Sequence, residues 1–302
     1  MSVELVDVQT EDGIRLHGAL QSASSHAPEL VICLHGVGSN FYGSTMMNRV
    51  SDAVVCAGRD VLRVNTRGHD NVFTAHTRTG AQRLGAAYEI VDECRIDVSA
   101  WVGWAQQRGY RRVILLGHSL GAIKILYAQS LQPHPLVHAL VAISPPRLSA
   151  SAFRQSARSS DYLESLLTAR RMLEQDRGGE LIEIQFPFPM VISAASFHDK
   201  YGPQERYNIL RFVEQIRCSS LYIYGGQELE HGGPAFAGLP DAIQECTATQ
   251  HSADCSIETH VVPDADHLYT HTRDELCRVV GDWLQRIASP LPLDPPLTDP
   301  PA

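Results

Sequence analysis

Within LLGHSLGAIK, residues 115–124, Ser119 stands between Gly117 and Gly121, where an apolar run gives way to a helix-like pattern. A serine hydroxyl becomes a nucleophile only when a base takes its proton, and the base needs an acid to orient it. His267, in PDADHLY, is the candidate base, because it follows directly on the last strand-like segment. The strand-like segment before it runs into YIYGGQELEHG, which offers Glu228 and Glu230. Glu228 is favoured as the acid, being nearer the strand end. Glu230, Asp264 and Asp266 stay open, although a residue adjacent to the base rarely faces its ring. Attack on a carbonyl also requires preorganised N–H donors for the oxyanion. Leu120, next after the serine, offers one; Val37, in LHGVGSN, offers the other, with Gly36 and Gly38 letting that loop curl.

Each piece has a plainer reading. A glycine-framed serine can be a small-residue turn, His267 a solvated loop residue, and LHGVGSN a glycine turn leading into a helix. The order separates the readings: donor loop, serine, acid and histidine each come just after a strand-like segment, which a set of unrelated turns does not require.

The elements that would position these residues alternate. VELVDVQ and IRLHGAL flank TEDG and predict an antiparallel hairpin. ELVICLHG, 29–36, is nearly continuous in apolar character, as in a strand covered on both faces. Helices are expected over 43–58, 91–108 and 120–131, with strands in DVLRVNTRG, RRVILLG and HALVAISPP. This alternation predicts an α/β fold with a mainly parallel eight-stranded sheet and helices on both faces. A sharp strand-to-helix turn would then set Ser119 above the carboxyl edge of the sheet.

Residues 147–217 break the pattern: they are helical and strongly charged, with the aromatic–proline patch IQFPFPMV and no clear buried strand. They read as an inserted, mostly helical cap on a core of 1–146 and 218–288. Phe186, Phe188, Met190 and Phe197 would shape an apolar acyl or alcohol pocket, or simply seat the cap on the sheet. Gly36 and His118 are counted with them as substrate-binding candidates, His118 being assigned packing rather than proton transfer. Arg67 is expected to order the NTRGHD loop, with His69 a hydrogen-bonded loop residue. The alternation resumes with SLYIYGG, a helix over 236–247, IETHVVPDADH and a closing amphipathic helix over 271–288. The proline-rich segment 289–302 can form neither helix nor central strand and reads as extended or disordered.

Composition narrows the function classes. The 302 residues suffice for one large domain, with no need of metal or disulfides. The formal net charge of −9 argues against a nucleic-acid surface. No window carries the roughly 18 uninterrupted apolar residues of a membrane span, and the first residues lack a secretory pattern, so a cytoplasmic location is expected. Seven scattered cysteines without a C-x-x-C pair suit reduced thiols, although Cys246 and Cys255 could meet across a loop. The 14 histidines never form H-x-H or H-E-x-x-H, so no metal is expected. The basic residues are nearly all arginine, with Lys124 and Lys200 the only lysines. The closing helix and the cap both offer surfaces that could form a homodimer.

Together, LHGVGSN, GHSLG, YGGQE and DADH, in that order over residues 29–288, resemble the α/β-hydrolase superfamily. The resemblance implies a Ser119, Glu228 and His267 triad, a cap over 147–217, and a serine esterase acting on a small-molecule ester without metal or organic cofactor. The same residues could cleave a thioester, an amide or a carbon–carbon bond beside a carbonyl, and a catalytically silent binding protein could keep the pocket. Two departures stand out. The acid position carries glutamate where aspartate is commoner, and VNTRGHDN, 64–71, replaces the D-x-R-G-x-G-x-S loop of many members. With NFYGS and SAASFHDKYGP, that segment is similar to a branch that includes fungal esterases acting on hydroxamate siderophores. This implies an ester of a sizeable natural product, or a xenobiotic ester of like size.

Overall fold

Val3–Gln9 (β1) and Arg15–Gln21 (β2) pair antiparallel, Val6 opposite Gly18, across a turn in which Gly13 takes φ +92°. The computed structural model describes residues 3–23, 27–248 and 255–287. After the hairpin the chain alternates through Glu29–Leu34 (β3), Thr45–Cys56 (α1) and Asp60–Val64 (β4). Ser44 caps α1 by accepting the Met47 N–H at 3.2 Å. Phe73–Thr77 (β5) and Gly80–Leu84 (β6) then form a small hairpin of their own. Cys94–Gln107 (α2), Arg112–His118 (β7), Leu120–Leu131 (α3) and Val137–Ile143 (β8) follow.

Between β8 and the next sheet strand lie Ala150–Arg154 (α4), Ser159–Glu174 (α5), Leu181–Ile184 (β9), Met190–Ser193 (β10) and Ala194–Tyr201 (α6). The chain closes with Ser219–Gly225 (β11), Gly226–His231 (α7), Leu239–Thr247 (α8), Ile257–Val262 (β12) and Arg273–Arg286 (α9). The eight strands of the large sheet run in the order β1-β2-β4-β3-β7-β8-β11-β12. Only β1–β2 and β2–β4 are antiparallel among its neighbours. This is the mainly parallel α/β sheet that the alternation predicts.

The continuous apolar strands are continuous because they serve two cores. Leu30, Ile32 and Leu34 of β3 and Val113 and Leu115 of β7 pack into one cluster with Trp101 of α2 and Ile123 of α3. The residues between them, Val31, Cys33, Ile114 and Leu116, turn to the other face and meet Val50 and Val54 of α1 and Val280 and Trp283 of α9. Each such side chain taken fully out of water contributes about 1.5–3 kcal/mol, so the central strands are fixed in register by both faces. Arg67 orders its loop as expected, for the buried guanidinium bonds Asp97 through Nε and Nη2 at 3.0 and 2.9 Å and reaches Glu93 and Asp12 through Nη1.

The structure departs from the sequence expectations in specific places. The excursion between β8 and β11 holds a β9–β10 hairpin, Ile182 opposite Ile192, whose four-residue strands are too short to show a period. The β5–β6 hairpin likewise has no apolar face to announce it. The helix expected over 236–247 begins at Leu239, since Gly238 at φ +67° breaks the chain just before Pro240. The first turn of the helix expected over 91–108 is a 3₁₀ turn, Val91–Glu93. The segment 289–302 lies outside the described residues. Cys246 and Cys255 are free thiols, as are the other five cysteines. Among the described residues no helix is long and apolar enough to cross a membrane.

Candidate active site

Ser119 occupies the single residue between β7 and α3, with φ +55° and ψ −121°, a backbone conformation that L-residues rarely adopt. It is held there from both sides: its N–H donates to Ile143 O at 2.9 Å, and its carbonyl accepts from Ala122 and Ile123. A Cβ at Gly117 would lie 2.4 Å from the Gly121 carbonyl, and one at Gly121 would lie 2.5 Å from the carbonyl oxygens of Leu34 and His35. Both glycines are therefore demanded by the approach of α3 to β7 and β3. As the first residue of α3, Leu120 has an N–H with no intrahelical acceptor, available to a ligand.

Glu228, the acid favoured beyond β11, reaches His267. Its Oε2 lies 2.7 Å from His267 Nδ1, while Oε1 accepts the Gly225 N–H at 2.7 Å and the Ser144 hydroxyl at 2.6 Å. Tyr269 OH in turn stands 3.0 Å from Ser144 Oγ. Glu230 is a surface residue beside His231, and Asp266 spends its carboxylate on the Leu268 and Thr270 N–H groups. Of the candidate acids, Glu228 is the buried one whose carboxylate meets the His267 ring. Ser144, at the end of β8, was invisible as its partner because only the sheet brings β8 beside β11.

His267 is partly open to solvent, and its carbonyl oxygen accepts from His118 Nε2 at 2.9 Å. A carbonyl only accepts, so His118 carries its proton on Nε2. Burial pushes the His118 imidazole down to about 3, and the residue lines neither of the cavities described below, so it is not placed among the groups that would meet a substrate there. His35 plays a comparable part under the loop bearing Val37. It bonds Gly36 O through Nδ1 at 2.8 Å and takes the Thr66 N–H on Nε2 at 3.2 Å, and burial brings it down to about 3. The sequence reading did not single out His35. His69 pairs with Asp70 at 2.8 Å and stacks on Phe73 with ring centroids 4.0 Å apart, the hydrogen-bonded loop residue it was read to be.

Val37, Ser119, Leu120 and His267 line one cavity of about 220 Å³, whose remaining wall is almost wholly apolar, with Leu148, Phe153, Phe188 and Phe236 prominent. A second cavity of about 330 Å³ adjoins it, sharing Val37 and Phe188. The candidate binding residues divide among these places. Phe188 lines both cavities, and Met190 lines the second. Gly36 is a neighbour of the serine, since a Cβ there would come 3.2 Å from Ser119 Cβ. Phe186 and Phe197 line neither cavity. Phe186 packs edge-on against Phe153 and Tyr162, and Phe197 tilts against Tyr201, both buried, so these two seat the excursion on itself instead of meeting a ligand. Leu148, Phe153 and Phe236 take the place expected of them; their side chains reach the cavity only through the fold of 147–217 and the turn after α7. Among the described residues no group of three His, Cys, Asp or Glu is placed to hold a metal ion.

Residues 31–279 match the model of the alpha/beta hydrolase family. No curated relative matches the chain. Among solved structures, the chain is similar to Est1E from Butyrivibrio proteoclasticus with ferulic acid bound, at 16% identity over 93% of this chain and 98% of that one, TM-score 0.62. It is similar to the Pyrococcus furiosus esterase Pf2001 at 20% identity, covering 94% and 91%, TM-score 0.61. It is also similar to the alpha/beta hydrolase GrgF from Penicillium sp. sh18 at 16% identity, covering 95% and 99%, TM-score 0.66. At these identities the likeness is one of fold.

Proposed function

The chain belongs to the alpha/beta hydrolase family, and from that membership we propose that it is a serine hydrolase of carboxylic esters, working through an acyl-enzyme on Ser119. The observation that carries this reading is the His267–Glu228 contact of 2.7 Å, with His267 lining the same cavity as Ser119 on its elbow. In the proposed cycle His267 Nε2 takes the Ser119 proton as Oγ attacks the ester carbonyl. Glu228 holds the ring through Nδ1–H and stabilises the imidazolium. The N–H groups of Val37 and Leu120 receive the oxyanion. The imidazolium then protonates the departing alcohol, and water repeats the sequence to release the acid.

The apolar lining of the cavity favours a hydrophobic acyl or alcohol group, with residues 147–217 acting as the cap that shapes it. The esterases among the structural neighbours lend the same reaction class support. The test is reaction of the purified protein with a fluorophosphonate probe followed by peptide mapping. Labelling at Ser119, lost in Ser119→Ala together with p-nitrophenyl ester hydrolysis, is the expected result. No labelling, or labelling elsewhere, overturns the reading.

A further inference from the structure

The only two lysines of the protein converge on one buried carboxylate. Lys124 Nζ pairs with Glu89 Oε1 and donates to Thr66 Oγ1 at 2.8 Å, whereas Lys200 Nζ lies 3.7 Å from Glu89 Oε2, beyond hydrogen-bond reach. All three side chains are about 1% exposed. One negative charge therefore faces two positive ones away from water, and Lys200 Nζ, like the Glu89 Oε2 it faces, has no hydrogen-bond partner among the described residues. Asp199, next in the chain, is committed elsewhere: its carboxylate takes the Tyr207 hydroxyl and the Val91 N–H. Lys200 also forms part of the wall of the cavity that holds Ser119 and His267, where nearly everything else is apolar.

A buried ammonium without acceptors is costly, and a buried group left unsatisfied in a cavity wall marks a place where a ligand supplies what the protein does not. We propose that Lys200 is the polar anchor of this cavity and selects substrates whose apolar body ends in a carboxylate, held by charge-assisted hydrogen bonds to Nζ. Such a group would bring two negative charges against two positive ones and fill the empty donors; a methyl terminus would do neither. Burial, opposed by Glu89, holds the Lys200 amine below its ordinary range, in keeping with a cation short of counter-charge. For turnover the inference rests on the proposed ester hydrolysis at Ser119; for binding it stands apart from it.

The experiment compares p-nitrophenyl monoesters of adipic, suberic and sebacic acids with the p-nitrophenyl alkanoates of equal chain length. In the unmodified protein at least one chain length should show a carboxylate-to-methyl ratio of kcat/KM of about tenfold or more, and Lys200→Met should bring that ratio down to about one or below. A ratio near one at every length in the unmodified protein, or a ratio that survives Lys200→Met, overturns the proposal. Calorimetric titration of the unmodified protein with octanedioate and octanoate decides the same point without turnover or a variant. Tighter diacid binding supports the anchor, and equal affinities overturn it. If no ester is cleaved and no fluorophosphonate labels Ser119, the hydrolase reading falls, while the calorimetric comparison still decides the role of Lys200.

Discussion

His118 Nε2 donates to the carbonyl oxygen of His267 at 2.9 Å, so the residue just before the candidate nucleophile holds the loop that carries the candidate base. The two residues are 149 positions apart in sequence, and their rings also touch, with centroids 4.8 Å apart. His118→Leu keeps the bulk and removes the donor. It should lower kcat by about tenfold or more with little change in KM, since an orphaned carbonyl costs about 1–3 kcal/mol and loosens the base more than the cavity. Steady-state kinetics on a neutral p-nitrophenyl ester reads this directly; an unchanged kcat would show that the loop holds itself.

For the acid, Glu228→Gln should reduce kcat by about 10³–10⁴-fold, whereas Glu230→Gln, on the surface, should leave it within about twofold. Ser144→Ala deletes one of the two donors on Glu228 Oε1 and should fall between these two. Equal losses in the Glu228 and Glu230 variants would refute the assignment.

Gly121→Ala sets a methyl 2.5 Å from two backbone carbonyls of the β3 end, which no side-chain movement relieves. A loss of stability of about 3 kcal/mol or more, or failure to accumulate folded protein, is the expected outcome. Gly281→Ala, inside α9 with nothing within 4 Å of the new methyl, should instead stabilise by about 0.5–1 kcal/mol. Urea denaturation of the two variants side by side tests the contrast.

Acid should destabilise the fold through its buried histidines. His35 and His118 are held at about 3 in the folded protein against an ordinary value of 6.5, so below that value the unfolded chain takes up protons that the folded chain refuses. The stability tied to their neutral forms is complete above about pH 6.5 and is lost as pH falls from there toward about 3. Glu29, held at about 2 by His138 and Arg59 against its burial, adds its own loss only below its ordinary 4.5. His118→Leu removes one such group, so between about pH 5 and 6 its unfolding free energy should fall less steeply, by up to about 1.4 kcal/mol per pH unit. Parallel slopes for the two proteins would contradict the assignment.

What was legible in the sequence is what local chemistry compels. The elbow at Ser119 could be read because its glycines stand in the local sequence, Gly117 imposed by the backbone of Gly121 close by, although the contact that imposes Gly121, the end of β3, lies far away in the chain. Strands β3 and β7 could be read because two cores leave their interiors, 30–34 and 113–116, wholly apolar, with polar residues only toward their ends. The candidate acid could be narrowed but not fixed, for the contact of Ser144 with Glu228, and of Tyr269 with Ser144, arises only through strand pairing and the loop after β12. The aromatic residues of 147–217 were the least legible. Phe186 and Phe188 are two places apart in one patch, yet one is buried among rings and the other faces both cavities. The scarcity of lysine was plain from the start, but its meaning lay in burial, which composition does not carry.

That scarcity has a practical side. With both ε-amines buried, one against Glu89 and Thr66 and the other on a residue of the cavity wall, the folded protein offers bulky amine-directed dyes, cross-linkers and immobilisation resins no lysine at its surface to react with. Coupling chemistry aimed at lysine will pass over the native molecule. Once the chain opens, Lys124 and Lys200 become reactive together, so acylation of those two peptides, followed by mass spectrometry, turns an ordinary labelling reagent into a clock for unfolding.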